Sequence, residues 1–240
     1  MAPFRCILET DRCQKPWQPP RTKGWRLMPE TEGPVAFTQI CLVRHGETAW
    51  NREQRLQGHR DVPLTDLGQQ QAEAVARRLA EGHWDAVYSS DLMRARYTAE
   101  VIAKACGINF VTDPRLRERS YGQLEGLTRT EIAQRYPHLV GHGWEHEHSG
   151  VEPWERMADR AQEALADMTA RHKGSRLIVV SHGGWIRALL GRLFPNWDLK
   201  SPIDNTSITV LHQEGDKWRL LVANDISHLV EPRISQGDVV

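Results

Sequence analysis

Two short apolar runs, each followed closely by a histidine and a glycine, limit the fold of this chain more than any other feature. The runs are residues 40–43 (ICLV) and 177–180 (LIVV), and a third run covers residues 86–88 (AVY). Continuous apolar runs rich in β-branched residues are typical of strands that are buried on both faces of a parallel sheet. Such a sheet needs helices on both sides, so the pattern predicts an α/β protein.

Helical patterns separate these runs, which predicts a three-layer α/β/α architecture with a largely parallel central sheet. Apolar residues recur at helical spacing in four segments: residues 66–81, the segment from the cap signal Ser89-Ser90-Asp91 to Gly107, the segment between Pro153 and Gly174, and residues 184–193. Strands are also predicted at 109–112 and, as two edge strands, at 206–213 and 217–224.

The start of the chain differs from the rest in composition. Residues 1–36 contain six prolines and show neither helical nor alternating apolar spacing. We therefore expect a disordered N-terminal extension over 1–36 and a catalytic domain over 37–240. Met28 would begin a shorter chain, so a genuine tail and a mis-set start codon are equal alternatives.

The charge balance argues against two classes of partner. The 240 residues include 31 Lys+Arg and 31 Asp+Glu, so the formal net charge is zero and the basic excess of nucleic-acid-binding proteins is missing. No apolar run approaches the ~20 residues of a membrane span. The sequence predicts no nucleic-acid partner, no membrane span and a cytoplasmic location, and it is compatible with a homodimer.

Charged and catalytic residue types follow the predicted strands. Arg44 and His45 follow the run at 40–43, and His182 and Gly183 follow the run at 177–180. Arg94 lies in the first turn of the helix that follows the run at 86–88. Ligands of open α/β sheets bind at the carboxyl ends of the strands, so these side chains are expected to converge. Glycines beside the histidines allow close approach of an anion to backbone N–H groups.

This set of residues suits phosphoryl transfer. Arginine binds phosphate in a bidentate manner and does not lose its charge. A neutral imidazole is able to attack phosphorus, and a carboxyl group then protonates the leaving alkoxide. Glu118 is the candidate carboxyl group, although its charged surroundings fit an ordinary surface ion pair as well.

Further short motifs stand in a definite order along the chain. They are LVRHGET at 42–48, LQG at 56–58, PLT at 63–65, YSSDL at 88–92, Arg94, LRER at 116–119, YG at 121–122, EG at 125–126, VSHG at 180–183 and DISHL at 225–229. Together they resemble the histidine phosphatase superfamily, in which cofactor-independent phosphatases are close relatives of cofactor-dependent phosphoglycerate mutases. The resemblance implies a phosphoglycerate mutase-like fold and a hydrolase that uses no cofactor.

The resemblance also implies a role for individual residues. His45 is the expected nucleophile, Arg44, Arg94 and His182 are expected phosphate ligands, and Glu118 is the expected acid and then base. Further substrate-binding positions are Asn51, Gln57, Gly58, Gly183, Tyr121 and Arg129.

The choice between phosphatase and mutase depends on the residues that contact the part of the substrate outside the phosphate. Between Arg135 and Arg156 the sequence has no Lys or Arg but four acids, Glu145, Glu147, Glu152 and Glu155. This loop would therefore repel the second anionic group that a mutase must hold. We therefore expect a phosphatase that acts on a small phosphomonoester. Arg129 matches a basic position of the mutases, which keeps a cofactor-dependent phosphoglycerate mutase as the alternative. A non-catalytic phospho-ligand binding module is a third alternative.

Two other features of the sequence suggest ligands. The cluster His138, His142, His146 and His148 fits no standard zinc spacing, so no metal site is expected. Trp50, Trp144, Trp154 and Trp185 fall near the expected site, which suggests a bulky or aromatic ester group, with core packing as the alternative for some of them.

Overall fold

A six-stranded sheet forms the centre of the computed structural model, which describes residues 37–139 and 150–229. The strands are β1 (Thr38–Arg44), β2 (Ala86–Ser89), β3 (Phe110–Thr112), β4 (Arg176–Ser181), β5 (Ile208–Glu214) and β6 (Lys217–Asp225). Their order is β3-β2-β4-β1-β5-β6, and β1, β4, β2 and β3 pair in parallel. Only β5 runs in the opposite direction, because it pairs antiparallel with both β1 and β6.

Helices cover both faces of this sheet. They are α1 (Ala49–Arg52), α2 (Asp66–Leu79), α3 (Met93–Cys106), α4 (Arg129–Arg135), α5 (Trp154–Arg171) and α6 (Gly183–Leu193). Alternate residues of β1 point to opposite sides: Ile40 and Leu42 pack with α5 and α6, whereas Cys41 and Val43 pack with α2 and α3. The three-layer α/β/α class predicted from the sequence is confirmed.

Some local predictions were wrong. The segment predicted as an edge strand at 206–213 is interior, since β5 lies between β1 and β6, and the sheet edges are β3 and β6. Asp91 does not cap α3: the N-cap residue is Leu92, and the Asp91 carboxylate forms an ion pair with Arg117 at 2.5 Å. The short helix α4 was not predicted.

The ends of two helices, the N-terminal extension and membrane spans were also predicted. Helix α2 ends two residues before the predicted boundary, at Leu79, and α3 ends before Gly107 as predicted. The extension 1–36 lies outside the described residues. Within the described part of the chain, no helix has the length and apolar character needed to cross a membrane.

Candidate active site

The two histidines meet because β1 and β4 are parallel neighbours in register. Arg44 lies opposite Ser181, so the residue after each strand is placed at the same edge of the sheet. The backbone N–H of His45 donates to the carbonyl of Ser181 at 3.0 Å. The imidazole rings of His45 and His182 lie 5.1 Å apart between centroids, and both residues are buried.

His45 is held in one tautomer by the backbone of the next residue, Gly46. Its Nδ1 lies 2.7 Å from the carbonyl oxygen of Gly46, which only accepts, so Nδ1 carries the proton. Burial, followed by the positive charges of Arg94 and Arg44, lowers the pKa of His45 well below its usual value. At neutral pH the ring is therefore neutral, with the lone pair on Nε2.

His182 has the opposite tautomer. Its Nδ1 accepts from Nε of Arg94 at 3.2 Å, because a guanidinium only donates, and its Nε2 then donates to Oγ of Ser90 at 2.9 Å. Burial is the main reason that the pKa of His182 lies well below its usual value, and the charge of Arg94 adds to it. The structure thus places two neutral imidazoles side by side with different nitrogens protonated.

Arg44 brings a buried cation to the same place. Its Nη1 donates to the carbonyl of Ile203 at 2.6 Å, whereas its Nε is buried without a hydrogen-bond partner. Burial lowers the pKa of Arg44 to about 10, and the nearby carboxylate of Glu118 opposes that shift. The guanidinium therefore stays charged at neutral pH.

Arg94 supplies a second buried cation from α3. Its Nη1 donates to the carbonyl of Arg60 at 2.8 Å and its Nη2 to that of Gly58 at 2.9 Å. Burial lowers its pKa to about 10, so it also stays charged. Within the described ranges, neither Arg94 nor Arg44 forms an ion pair with a carboxylate. Two buried, unpaired guanidinium groups make a site that favours an anion.

Glu118 faces this site from the loop after β3. Its Oε2 accepts from the backbone N–H of Gly184 at 3.0 Å, and its Oε1 accepts from that of Arg119 at 2.9 Å. A Cβ at position 184 would lie only 2.3 Å from Oε1, so the carboxylate occupies the space that a side chain would need. The charge of Glu118 also opposes the lowering of the pKa of both Arg44 and Arg94.

Arg160 fixes the loop that carries Glu118. Its Nη1 donates to the carbonyls of Arg115 and Arg117, and its Nη2 donates to that of Glu118 at 2.9 Å. The same guanidinium pairs with Glu152 at 2.7 Å, a bidentate contact between largely buried side chains. Sequence reasoning missed Arg160, since it lies 42 residues away from Glu118 along the chain.

Two of the predicted substrate-binding residues, Asn51 and Gln57, have polar side-chain atoms that are available to a ligand. Asn51 has its Oδ1 bound by the backbone N–H of Thr48 and by Nδ2 of Asn205, which leaves its own Nδ2 as a donor. Gln57 is buried, and its Oε1 has no hydrogen-bond partner within the described ranges.

The other four predicted positions take different places. Gly58 gives its carbonyl to Arg94, and Gly183 is the first residue of α6. Tyr121 is half-buried near Glu118, and burial followed by that charge raises the pKa of its phenol. Arg129 is exposed at the start of α4, where its positive charge partly opposes the shift in the pKa of Tyr121.

A polar turn before β5, missed by sequence reasoning, contacts the backbone of Arg44 and His45. Nδ2 of Asn205 donates to the backbone carbonyl of His45 at 2.9 Å. The N–H of Thr206 donates to the carbonyl of Arg44 at 3.0 Å, and Thr206 is buried with a φ of 56°, which is unfavourable for a β-branched residue. The signal in the sequence was the triplet Asn-Thr-Ser just before an apolar run.

The tryptophans are not grouped around the histidines. Trp185 is fully buried in the core, and its Nε1 donates to the carbonyl of Arg115 at 2.9 Å. Trp154 packs against the same core, and Trp144 lies outside the described residues. Trp50 borders a groove of about 580 Å³, which is lined by Trp50, Arg60, Asp61, Val62, Glu125, Gly126 and Leu127. Trp185 and Trp154 therefore belong to the core and do not support the hypothesis of an aromatic pocket.

The histidine cluster that was considered as a metal site is only partly described. Within 37–139 and 150–229, no group of three or more His, Cys, Asp or Glu side chains is placed to hold a metal ion. Of the cluster only His138 belongs to these ranges, and His142, His146 and His148 lie outside the described residues.

The arrangement of motifs on this sheet is shared with known proteins. The sequence profile of the histidine phosphatase superfamily (branch 1) matches residues 40–226. The chain belongs to the histidine phosphatase superfamily. It is 42% identical over 211 residues to phosphoglycerate mutase-like protein 4 of Arabidopsis thaliana, with 85% of this chain and 92% of that protein covered.

Two further relatives of this histidine phosphatase are informative. The metal-independent phosphoserine phosphatase of Arabidopsis thaliana is 40% identical over 199 residues, which cover 80% of this chain and 83% of that protein. The solved structure of Bacillus stearothermophilus YhfR superposes with a TM-score of 0.74 at 35% identity, covering 80% of this chain and all of that one (100%). The predicted family, the phosphoglycerate mutase-like fold and the phosphatase class of enzyme are confirmed by these matches.

Proposed function

We propose that this chain hydrolyses the phosphomonoester of a small metabolite through a phosphohistidine formed on His45. The observation that carries the proposal is the pair of buried guanidinium groups, Arg44 and Arg94, without a carboxylate partner beside a neutral imidazole. Buried cations are costly unless an anion completes the site, and the fork of an arginine matches two oxygens of a phosphate. His182, Asn51 and Gln57 complete the phosphate site in this proposal.

In the first step, the lone pair on Nε2 of His45 attacks phosphorus. The bond between phosphorus and the ester oxygen breaks, and protonated Glu118 transfers its proton to the leaving alkoxide. The hydrogen bond from Nδ1 to the carbonyl of Gly46 orients the ring and stabilises the positive charge that the imidazole gains.

In the second step, a water molecule attacks the phosphohistidine. The carboxylate of Glu118 accepts a proton from that water, the bond between phosphorus and Nε2 breaks, and inorganic phosphate leaves. His45 returns to its neutral form and Glu118 to its protonated form, so the cycle closes without a metal or an organic cofactor.

The alternative functions differ in the fate of the phosphate after the first step. A phosphoglycerate mutase would return the phosphate to a second oxygen of the substrate, and the name of the relative with 42% identity keeps this alternative under test. A non-catalytic phospho-ligand binding module would need no acid, and the backbone N–H that holds Glu118 near the arginines argues against it.

The test combines trapping with product analysis. Purified protein is incubated with p-nitrophenyl phosphate and with 3-phosphoglycerate, quenched under alkaline conditions, and analysed by mass spectrometry for phosphate on His45. We expect phosphate on His45 in the wild type and a loss of turnover of at least ~10³-fold in His45→Ala. His83→Ala, at an exposed histidine, is the matched control and is expected to retain activity.

Two outcomes would overturn the proposal. Near-normal turnover by His45→Ala would remove His45 as the nucleophile. Isomerisation of 3-phosphoglycerate that depends on 2,3-bisphosphoglycerate, faster than hydrolysis, would assign the chain to the mutases.

The location and the assembly predicted from the sequence are carried forward as proposals. A cytoplasmic location is checked by fractionation of cells that express the tagged full chain. A homodimer is checked by light scattering, for which a single species at the monomer mass of 27.5 kDa would be the contrary result.

A further inference from the structure

A histidine on a tight turn contacts the loop that carries Glu118. Nε2 of His59 lies 2.9 Å from the carbonyl oxygen of Glu118, which only accepts, so Nε2 is the donor. The turn covers residues 57–60 and is closed by the backbone N–H of Arg60, which donates to the carbonyl of Gln57 at 3.0 Å. The side chain of His59 therefore joins this 57–60 turn to the loop of Glu118.

The 57–60 turn also holds Arg94, which belongs to the proposed phosphate site. The carbonyl of Gly58 accepts from Nη2 of Arg94 at 2.9 Å, and the carbonyl of Arg60 accepts from Nη1 at 2.8 Å. His59 is the residue between these two carbonyls. One short turn thus contacts the cation that would bind the phosphate and, through His59, the residue that would protonate the leaving oxygen.

A buried carboxylate fixes the backbone of the turn. The N–H of His59 donates to Oε1 of Glu125 at 2.9 Å, and the side chain of Glu125 is only 8% exposed. A Cβ at position 58 would lie 2.1 Å from the same oxygen, so the carboxylate packs directly against the turn. Gly58 has a φ of 51°, which glycine adopts without strain. The turn is therefore a defined support for the imidazole of His59.

Arg160 holds the same carbonyl from a different element. It lies on α5 and donates from Nη2 to the carbonyl of Glu118, also at 2.9 Å. Arg160 fixes the acid relative to α5, whereas His59 fixes it relative to the turn that holds Arg94. Proton transfer to the leaving oxygen requires a carboxyl group within hydrogen-bond distance, and a misplacement of about 1 Å is able to cost ~10²-fold in rate. The contact of His59 thus relates the acid directly to a phosphate ligand.

We propose that His59 is a positioning residue that sets the carboxyl group of Glu118 relative to a phosphate bound by Arg94. It acts through the backbone of Glu118, so its loss should slow the step that needs a proton more than it weakens phosphate binding. This inference rests on the proposed phosphatase function and adds a residue to the support of its general acid.

Two substrates with different leaving groups test the proposal. His59→Ala is expected to lower kcat for glycerol 2-phosphate about 3- to 10-fold, the effect of one lost hydrogen bond, because its alkoxide needs a proton. Turnover of p-nitrophenyl phosphate should change less than about twofold, since an acidic phenol leaves without a proton. The inhibition constant of inorganic phosphate should also stay nearly unchanged, because Arg94 keeps both of its carbonyl partners.

Two amide variants separate the donor from the bulk of the ring. The side-chain nitrogen of glutamine is as many bonds from Cα as Nε2 of histidine. His59→Gln therefore keeps a donor within reach of the carbonyl and should restore most of kcat for glycerol 2-phosphate. The amide in His59→Asn is one bond closer to Cα, so this variant should behave like His59→Ala. The comparison of the two amides also carries the test if His59→Ala does not fold.

A double variant shows whether His59 acts through Glu118. In Glu118→Gln the acid is already lost, so the addition of His59→Ala should lower kcat for glycerol 2-phosphate less than about twofold. Independent sites would instead show the full loss in both backgrounds.

The results that would overturn the inference differ from those that would overturn the function. Equal losses for both substrates, weaker inhibition by phosphate, failure of His59→Gln to restore kcat, or an undiminished loss in the Glu118→Gln background would each refute the positioning role. If the wild type carries no phosphate on His45 after trapping, the proposed function fails instead. A loss in His59→Ala that is confined to glycerol 2-phosphate would then still support the role of His59.

Discussion

Replacing Gly184 by alanine is expected to move the carboxylate of Glu118 out of the position proposed for the general acid. The new Cβ would lie 2.3 Å from Oε1 of Glu118 and 3.1 Å from its Cδ. The backbone of Glu118 is unable to follow, because its carbonyl accepts from His59 and from Arg160, each at 2.9 Å. The carboxylate itself must therefore move by about 1 Å, the overlap with an ordinary contact between carbon and oxygen.

The size of the effect is set by this displacement. A misplacement of about 1 Å is able to cost ~10²-fold in rate, and general acid–base catalysis as a whole contributes ~10²- to 10⁴-fold. The lost hydrogen bond to the N–H at position 184 destabilises by about 1.5–3 kcal/mol, and alanine in the helix offsets about 1 kcal/mol of that loss. The net cost of about 0.5–2 kcal/mol is small against the stability of a domain, so the variant should remain folded.

The assay compares a poor leaving group with a good one. Gly184→Ala should lower kcat about 100-fold for an alkyl phosphomonoester and less than 10-fold for p-nitrophenyl phosphate, since an acidic phenol leaves without a proton. Gly191→Ala is the matched control on the same helix, because its Cβ would meet only the flexible, exposed side chain of Leu199. Equal losses for the two substrates would refute Glu118 as the general acid.

Three other perturbations test the site in different ways. Asn205→Ala removes a donor to the carbonyl of His45, so kcat should fall about 3- to 10-fold at unchanged KM, with exposed Asn196→Ala as the control; a change in KM alone would contradict this. The pKa values of His45 and His182 lie below that of histidine in the unfolded chain, so the unfolded chain takes up protons first as the pH falls. The free energy of unfolding should therefore decrease from pH 7 to pH 5 by up to about 1.4 kcal/mol per pH unit for each histidine. In urea titrations at several pH values, His182→Gln should remove the contribution of one histidine from this pH dependence. An unaltered pH dependence would be the contrary result. EDTA should not change turnover of p-nitrophenyl phosphate, and a loss that Mg²⁺ restores would count against the proposed steps.

Local sequence patterns were sufficient for the parts of the fold that are decided locally. The runs at 40–43 and 177–180 became buried strands, and the residues after them met at one edge because parallel neighbours end together. The interior place of β5 was not predictable in this way, because it depends on which strands pair and not on the pattern within residues 208–214. The same limit applies to Asp91, whose partner Arg117 is distant along the chain.

Residues that act through a partner were the ones missed at the site. Arg160 and Asn205 contact the backbone carbonyls of Glu118 and His45, and a contact to a backbone carbonyl produces no recognisable pattern in a sequence. Trp185 was misjudged because closeness to His182 along the chain was given more weight than its place on the apolar face of α6.

The central place of β1 links the integrity of the site around His45 to that of the whole sheet. Strand β1 is flanked by β4 and β5, its residues Ile40–Val43 are completely buried, and His45 follows it directly. Amides of such a strand exchange with solvent hydrogen only through global unfolding, whereas the edge strands open more easily. We therefore expect no separate local unfolding at His45, the proposed nucleophile. In a urea titration, inactivation and loss of the sheet should follow one curve, and a folded but inactive species should not accumulate.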